Sequence, residues 1–355
     1  MKFGIIFLSQ PDKDSDEYPY RSIHERVTKE IIEADKAGYD YAWIAEHHAS
    51  DAYGILPDPL TFIAYLASQT KNIRLASGVM VVPLHNIVRL VENVSFVDIL
   101  TQGRFVFGIG SGYREHEFEA LGADFENRRE IQREAIEVMM KLFNDHQIDH
   151  QGKYLPNYKI GGDYALLPRS IQTPHPPLYM GAASDTSIEN CARYGFGLMM
   201  STLTPIKELV PKADYYLELC DSTEAPYDQN PGHREIGIGR LVYVADSDQR
   251  AEDESAEAVV RHINSFTGAS TSGYLGTISQ DDKDAYAARN YQDFCDDTIV
   301  HGSPQTVIEK IMYIKESTRA TSIILHFPPY YSFEQTRGTI KLFAEKVIPA
   351  FKNMS

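Results

Sequence analysis

The chain has 355 residues, 43% of them hydrophobic and 24% charged, with a formal net charge of -16 and a pI near 5.2. No basic run stands against that acidic excess, so neither nucleic acid nor an anionic membrane surface is an expected partner. Cys191, Cys220 and Cys295 are far apart and form no CxxC pair, which speaks against a disulfide framework or a metal site and fits a reducing, cytoplasmic location. The opening MKFGIIFLSQP is too short for a signal-peptide core and reads as a buried first strand. Strands are then expected at 2–8, 41–45, 74–82, 104–110, 178–182, 198–200, 236–244 and 321–326. Helices are expected between them at 24–38, 58–70, 87–101, 127–144, 187–195, 205–220 and 247–263, with a closing helix at 332–351. Continuous apolar strands alternating with amphipathic helices indicate parallel strands buried on both faces. Eight of them predict one α/β domain over 1–355, a TIM (β/α)8 barrel.

Three stretches break the rhythm. Residues 145–177 and 222–234 read as loop insertions. Residues 265–300, rich in Ser, Thr and Gly and then charged, read as a long mobile lid before strand eight. The paired carboxylates Asp281-Asp282 and Asp296-Asp297 within it read as solvated.

Barrel enzymes do their chemistry where strands end, so the residues after each strand are the informative ones. Strand two ends in Glu46-His47-His48, strand three runs to His85-Asn86, and strand four to Gly110-Ser111-Gly112-Tyr113-Arg114. Adjacent histidines at a strand end point apart, which disfavours a two-histidine metal site and leaves an acid/base or hydrogen-bonding histidine. The Gly108-Ile-Gly110-Ser-Gly112 run departs from GxGxxG because Tyr113 takes the third glycine's place; its glycines suit a flat ring lying against the backbone. Ser184 and Ser187 open a helix, where they serve either as plain caps or as part of an anion site for a phosphate. Neither a GxSxG elbow nor a P-loop occurs.

Together the stretches AGYDYAWIAEHHASDAYGILPDPLTFIAYLASQTKNIRLASGVMVVPLHN and VRLVENVSFVDILTQGRFVFGIGSGY, with HGSPQTVIEKI before strand eight, resemble the bacterial-luciferase-like family of flavin-dependent monooxygenases almost end to end. The resemblance implies a two-component enzyme. Reduced FMN from a separate NAD(P)H:flavin reductase would react with O2 to a C4a-peroxyflavin that oxygenates a small apolar organic substrate such as an aldehyde, ketone, terpene or alkane. It also implies roles. His47 matches the histidine needed for the flavin–oxygen intermediate, with His48 its neighbour, and Gly78-Val79 matches a non-prolyl cis peptide against the flavin ring. Arg129, Ser184 and Ser187 match phosphate partners, and Ser201 a serine near the ring edge. Three positions depart: Gly110 stands where luciferase has a cysteine, Ser111 replaces a phosphate arginine, and Ala183 replaces a glutamate. Light emission is therefore not expected, and the phosphate grip falls to Arg129, Ser184 and Ser187.

Phe7, Tyr53, Tyr113 and Phe327 are the expected lining of the substrate pocket. Tyr65, Leu66, Val94 and Val97 are expected to be exposed on helices two and three, which in this family form a dimer interface; a homodimer is expected. The alternatives are an F420-dependent hydride-transfer enzyme on the same barrel and a non-catalytic flavin-binding partner subunit.

Overall fold

The eight apolar runs fold as eight parallel strands that close on themselves. They are β1 (Lys2–Phe7), β2 (Tyr41–Ile44), β3 (Arg74–Val81), β4 (Phe105–Gly110), β5 (Leu178–Gly181), β6 (Gly197–Met200), β7 (Ile236–Val244) and β8 (Ser322–His326). Each pairs with the next, and β8 returns to β1, so the barrel is complete. The computed structural model describes residues 1–11, 19–51, 53–265 and 289–352.

Strand alternation divides the core into two layers. Ile6, Tyr41, Trp43, Ala76, Val106, Tyr179, Met199 and Ile324 fill the lumen. Phe3, Ile5, Ile44, Leu75, Phe107, Leu178 and Ile323 face outward beneath the helices. This double burial is why the strands read as unbroken apolar runs: all nine residues of β7 are buried.

The surrounding helices include α1 (Pro19–Ala37), α2 (Pro59–Ala67), α3 (Ile87–Leu100), α4 (Glu115–Leu121), α5 (Arg128–Asp145), α6 (Asp185–Arg193), α7 (Ile206–Cys220) and α8 (Asp248–Ser265). Later come α9 (Tyr291–Asp297), α10 (Pro304–Thr318), α11 (Phe333–Leu342) and α12 (Ile348–Lys352). Their starts follow from local chemistry. Asp58 caps α2 ahead of Pro59, Asn86 caps α3, and Ser303 caps α10 ahead of Pro304.

The N-terminal rim is tied down by two charged residues. Asp35 accepts the backbone N–H groups of Lys71, Asn72 and Ile73, each at 2.8 Å. Arg104 donates to the carbonyls of Ala67 (2.8 Å) and Ile73 (2.9 Å). That rim holds the fold, and the opposite rim is left to the chemistry.

Several expectations need correction. The 145–177 insertion contains an antiparallel pair, Ile148–His150 with Tyr158–Ile160. Of the lid expected at 265–300, residues 266–288 lie outside the described residues; its end is instead α9, followed by a short strand Val300–Gly302 that extends the sheet beside β7. Helices α4 and α10 occupy stretches given no element. The single closing helix is interrupted by a π-turn at Phe343–Val347. Leu66, Val94 and Val97 face the core rather than solvent, because α2 and α3 each use them to cover the strands. Tyr65 alone of that set is exposed, and on α3 Phe96, Ile99 and Leu100 are exposed instead.

Candidate active site

The C-terminal rim gathers the ends of β2, β3 and β4. Glu46, buried just beyond β2, accepts from His48 Nε2 (3.0 Å), His85 Nε2 (2.7 Å) and the Val81 N–H (2.5 Å). Burial alone would raise its carboxyl pKa, but these three hydrogen bonds together hold it below the ordinary range. In return the Glu46 carboxylate raises the pKa of His48. One buried anion thus fastens the second strand end to the third and orients two imidazoles.

His47 points the other way, into a second arrangement. Its Nδ1 lies 3.0 Å from Glu117 Oε1, an oxygen that also accepts the His48 backbone N–H at 3.1 Å. Glu117 comes from α4 and is buried beside Phe118. Burial pushes the His47 pKa down against the opposing pull of the Glu117 carboxylate, so the ring is neutral near pH 7. The Glu117 carboxyl is held below its ordinary range: burial opposes this, and the His47 hydrogen bond outweighs it together with the His48 N–H and Arg114. An ionised Glu117 can only accept, so neutral His47 carries its proton on Nδ1 and leaves Nε2 as the basic nitrogen.

Aromatic rings enclose this pair. Tyr53 meets His47 edge to face at 4.7 Å between ring centroids, and Tyr113 lies at 6.4 Å. The segment from Tyr53 to Leu56 is laid tightly across the histidine: Leu56 O accepts the His47 N–H at 3.0 Å. A Cβ on Gly54 would stand 2.3 Å from the Leu8 carbonyl oxygen and 2.8 Å from the His47 ring, so only glycine fits. Arg114 closes the group, its guanidinium 4.3 Å from the centre of the Tyr53 ring.

Next to it lies a flattened surface. The Gly78–Val79 peptide is cis, and the β3–β4 register shifts there. Ser77 bridges the break, its Oγ accepting the Gly108 N–H (3.0 Å) and donating to Gly108 O (2.9 Å). Val79 is the half-exposed residue of the bulge. Its side chain occupies the space over Gly110, where a Cβ would come within 2.6 Å of Val79 Cγ2. This glycine-backed platform fits one face of a planar ring system. The anionic end of such a cofactor has fewer ready partners. Ser184 is exposed and Ser187 half-buried, and the two form a reciprocal capping box, with Asp185 in the same first turn. Ala183 adds its N–H to Ser187 Oγ at 3.2 Å. Arg129 is exposed, whereas its neighbour Arg128 turns to Gly112 O at 3.3 Å. Ser111 is half-buried. Ser201 accepts the Leu203 N–H at 3.3 Å, and its carbonyl accepts from Arg240.

Of the expected pocket lining, Tyr53 and Tyr113 meet at His47, but Phe7 and Phe327 do not. Ile6 faces the lumen, so strand alternation turns Phe7 outward. Phe7 and Phe327 line a cleft under α1 with Ile23, Arg26 and Val27. Glu46, His85 and Arg114 were visible as strand-end residues without an assigned role. Glu117 was missed, because nothing in EHEFEAL marks which glutamate turns inward.

A family model described as luciferase-like monooxygenase matches residues 1–322. Among relatives, the alkanal monooxygenase alpha chain of the Kryptophanaron alfredi symbiont is 24% identical, covering 100% of this chain and 99% of its own. The oxygenase component of the flavin-dependent trigonelline monooxygenase of Acinetobacter baylyi is 25% identical, covering 99% and 96%. The oxygenating constituent of 3,6-diketocamphane monooxygenase from Pseudomonas putida, solved with FMN, shares the fold at TM-score 0.79 and 22% identity over 98% of each chain. An F420-dependent tetrahydromethanopterin reductase from Methanopyrus kandleri shares it at TM-score 0.71 and 19% identity over 99% of each chain.

Proposed function

The chain belongs to the luciferase-like monooxygenase family, and from that premise we propose that it is the oxygenase of a two-component system. It takes reduced FMN from a separate NAD(P)H:flavin reductase and, with O2, oxygenates a small organic molecule. The observation that carries this reading is the buried His47–Glu117 pair, at the same rim as the Val79–Gly110 platform.

Reduced flavin, when bound, supplies the electrons that activate O2 for transfer of one oxygen atom to the substrate. The protein's own part follows from the residues. Val79, lying over Gly110, supports one face of the ring, with Ser201 at its edge. Arg129, Ser184 and Ser187 hold the phosphate, the serines exchanging part of their mutual hydrogen bonding for it. Neutral His47 presents Nε2 as a proton acceptor, and Glu117 stabilises the imidazolium that results. Tyr53 and the tightly laid Gly54 cover the imidazole and keep bulk water from it. His48, held by Glu46, fixes the strand end and is a positioning residue.

The test is oxygen consumption with FMN, a flavin reductase and NADH over a panel of aldehydes, ketones, terpenes, alkanes and organic acids. Substrate-dependent uptake with a monooxygenated product is expected. His47→Ala is expected to bind FMN as before and to lose about 100-fold or more of coupled product, the ordinary contribution of a general base. Unchanged turnover in that variant removes the assigned role. Binding of F420 with hydride transfer and no response to FMN would instead favour the deazaflavin reading, and flavin binding without any turnover the partner-subunit reading. Exposed Tyr65, Phe96, Ile99 and Leu100 on α2 and α3 support a homodimer. Light scattering at micromolar concentration should give twice the chain mass, and a monomer mass overturns this assignment.

A further inference from the structure

Arg114 sits between the β4 loop and α4 and is only 5% exposed. Among the described residues, its Nε and Nη2 have no hydrogen-bond acceptor. A guanidinium stays charged at any working pH, and burying one with its donors unused is strongly unfavourable unless something else completes it. The rings of Tyr53 (4.3 Å) and Tyr113 (5.6 Å) stabilise the positive charge but give its N–H groups no oxygen. Glu117 is near, yet its Oε1 serves His47 and the His48 N–H.

The geometry of the unused donors is informative. Nε–H and one Nη2–H leave the same edge of the guanidinium in parallel. That edge is the fork that grips both oxygens of a carboxylate. The guanidinium lies against the same two aromatic rings that enclose His47. A chain of net charge -16 would otherwise repel an anion, and a buried arginine is able to reverse that locally.

We propose that Arg114 is the specificity residue for a carboxylate on the substrate. The molecule oxygenated is an organic acid, held through its carboxylate by the Nε/Nη2 edge, with its apolar part against Tyr53 and Tyr113 beside His47. This rests on the monooxygenase reading and narrows it from a neutral apolar substrate to an acid with an apolar body. The cofactor's phosphate is assigned elsewhere, to Arg129 and the α6 serines.

The experiment measures binding without turnover, so its failure and that of the oxygenation assay are separate results. Wild type, Arg114→Gln and Arg114→Lys are titrated with benzoate, nicotinate and decanoate and with their primary amides, followed by thermal shift and intrinsic fluorescence. FMN affinity is measured on the same proteins. At least one acid should bind the wild type about tenfold or more tighter than its amide, as a charge-assisted bidentate pair requires. Arg114→Gln should abolish that preference with FMN affinity unchanged, and Arg114→Lys should retain part of it. Equal binding of acids and amides, or no binding across the panel, overturns the proposal on wild type alone, whatever the folding of the variants. Loss of FMN affinity in Arg114→Gln with acid preference intact also overturns it, by placing the arginine on the cofactor phosphate.

Discussion

A carboxylate from a short helix decides what His47 can do. Glu117 holds Nδ1 and so selects which nitrogen is basic; in the proposed reaction it acts as a positioning residue rather than a catalytic one. Glu117→Gln keeps a hydrogen-bonding side chain of the same shape but loses the charge that stabilises imidazolium. The expected outcome is a fall in coupled product formation of about 10- to 100-fold, the range found for partners that orient a working histidine. The acidic limb of the pH profile should also shift downward, because the Glu117 carboxylate opposes the lowering of the His47 pKa by burial. A rate loss with an unmoved profile would mean that Glu117 only packs. The place of His47 at a strand end was legible from the sequence, because the strand before it is an unbroken apolar run. Glu117 was not, because α4 is a seven-residue helix with three glutamates and no periodic apolar face.

The β3–β4 pair carries the platform proposed for the flavin ring. A bulge in one strand pushes Val79 out, and the partner strand answers with glycine at 110, because any side chain there meets Val79. Gly110→Ala should displace Val79, cost about 1–3 kcal/mol of stability as overpacking does, and weaken FMN binding more than it alters the fold. Denaturant midpoints and flavin titrations check both; an unchanged FMN affinity would move the platform elsewhere. The glycine run was readable in the sequence as a place where something packs close to the backbone, and at Gly110 that neighbour is Val79. What could not be read was the direction of neighbouring side chains: Phe7 and Phe327 were expected at the mouth and lie in the helical layer. Composition makes an aromatic residue at a strand end conspicuous, but a one-residue change of phase decides which side it serves.

The whole barrel was the most legible feature, because eight strands buried on both faces leave an apolar signature that no loop imitates. Its interior carries a cost that appears only on acidification. His47, His175, His262, His301 and His326 are all buried, and burial lowers the pKa of each. Below the unfolded value of 6.5 the unfolded chain takes up protons that the folded chain refuses. The stability contributed by these neutral rings is therefore complete above that pH and is lost as pH falls toward their lowered values, for His326 about 4. Unfolding free energy should drop by at least about 2 kcal/mol between pH 7.5 and 5, as read by denaturant titration. His326→Gln should flatten part of that slope; a flat profile in the wild type would show that these histidines are solvated.

Trp43 is the one tryptophan of the chain, and it stands in the lumen 5.3 Å from the ring centre of Tyr179 and 5.5 Å from that of Tyr41. Its emission comes from inside the barrel and from nowhere else, and both tyrosines are close enough to pass excitation to it. Ultraviolet fluorescence of this protein is therefore a single-site optical report on the barrel interior, and a bound flavin, which absorbs where tryptophan emits, dims it by energy transfer.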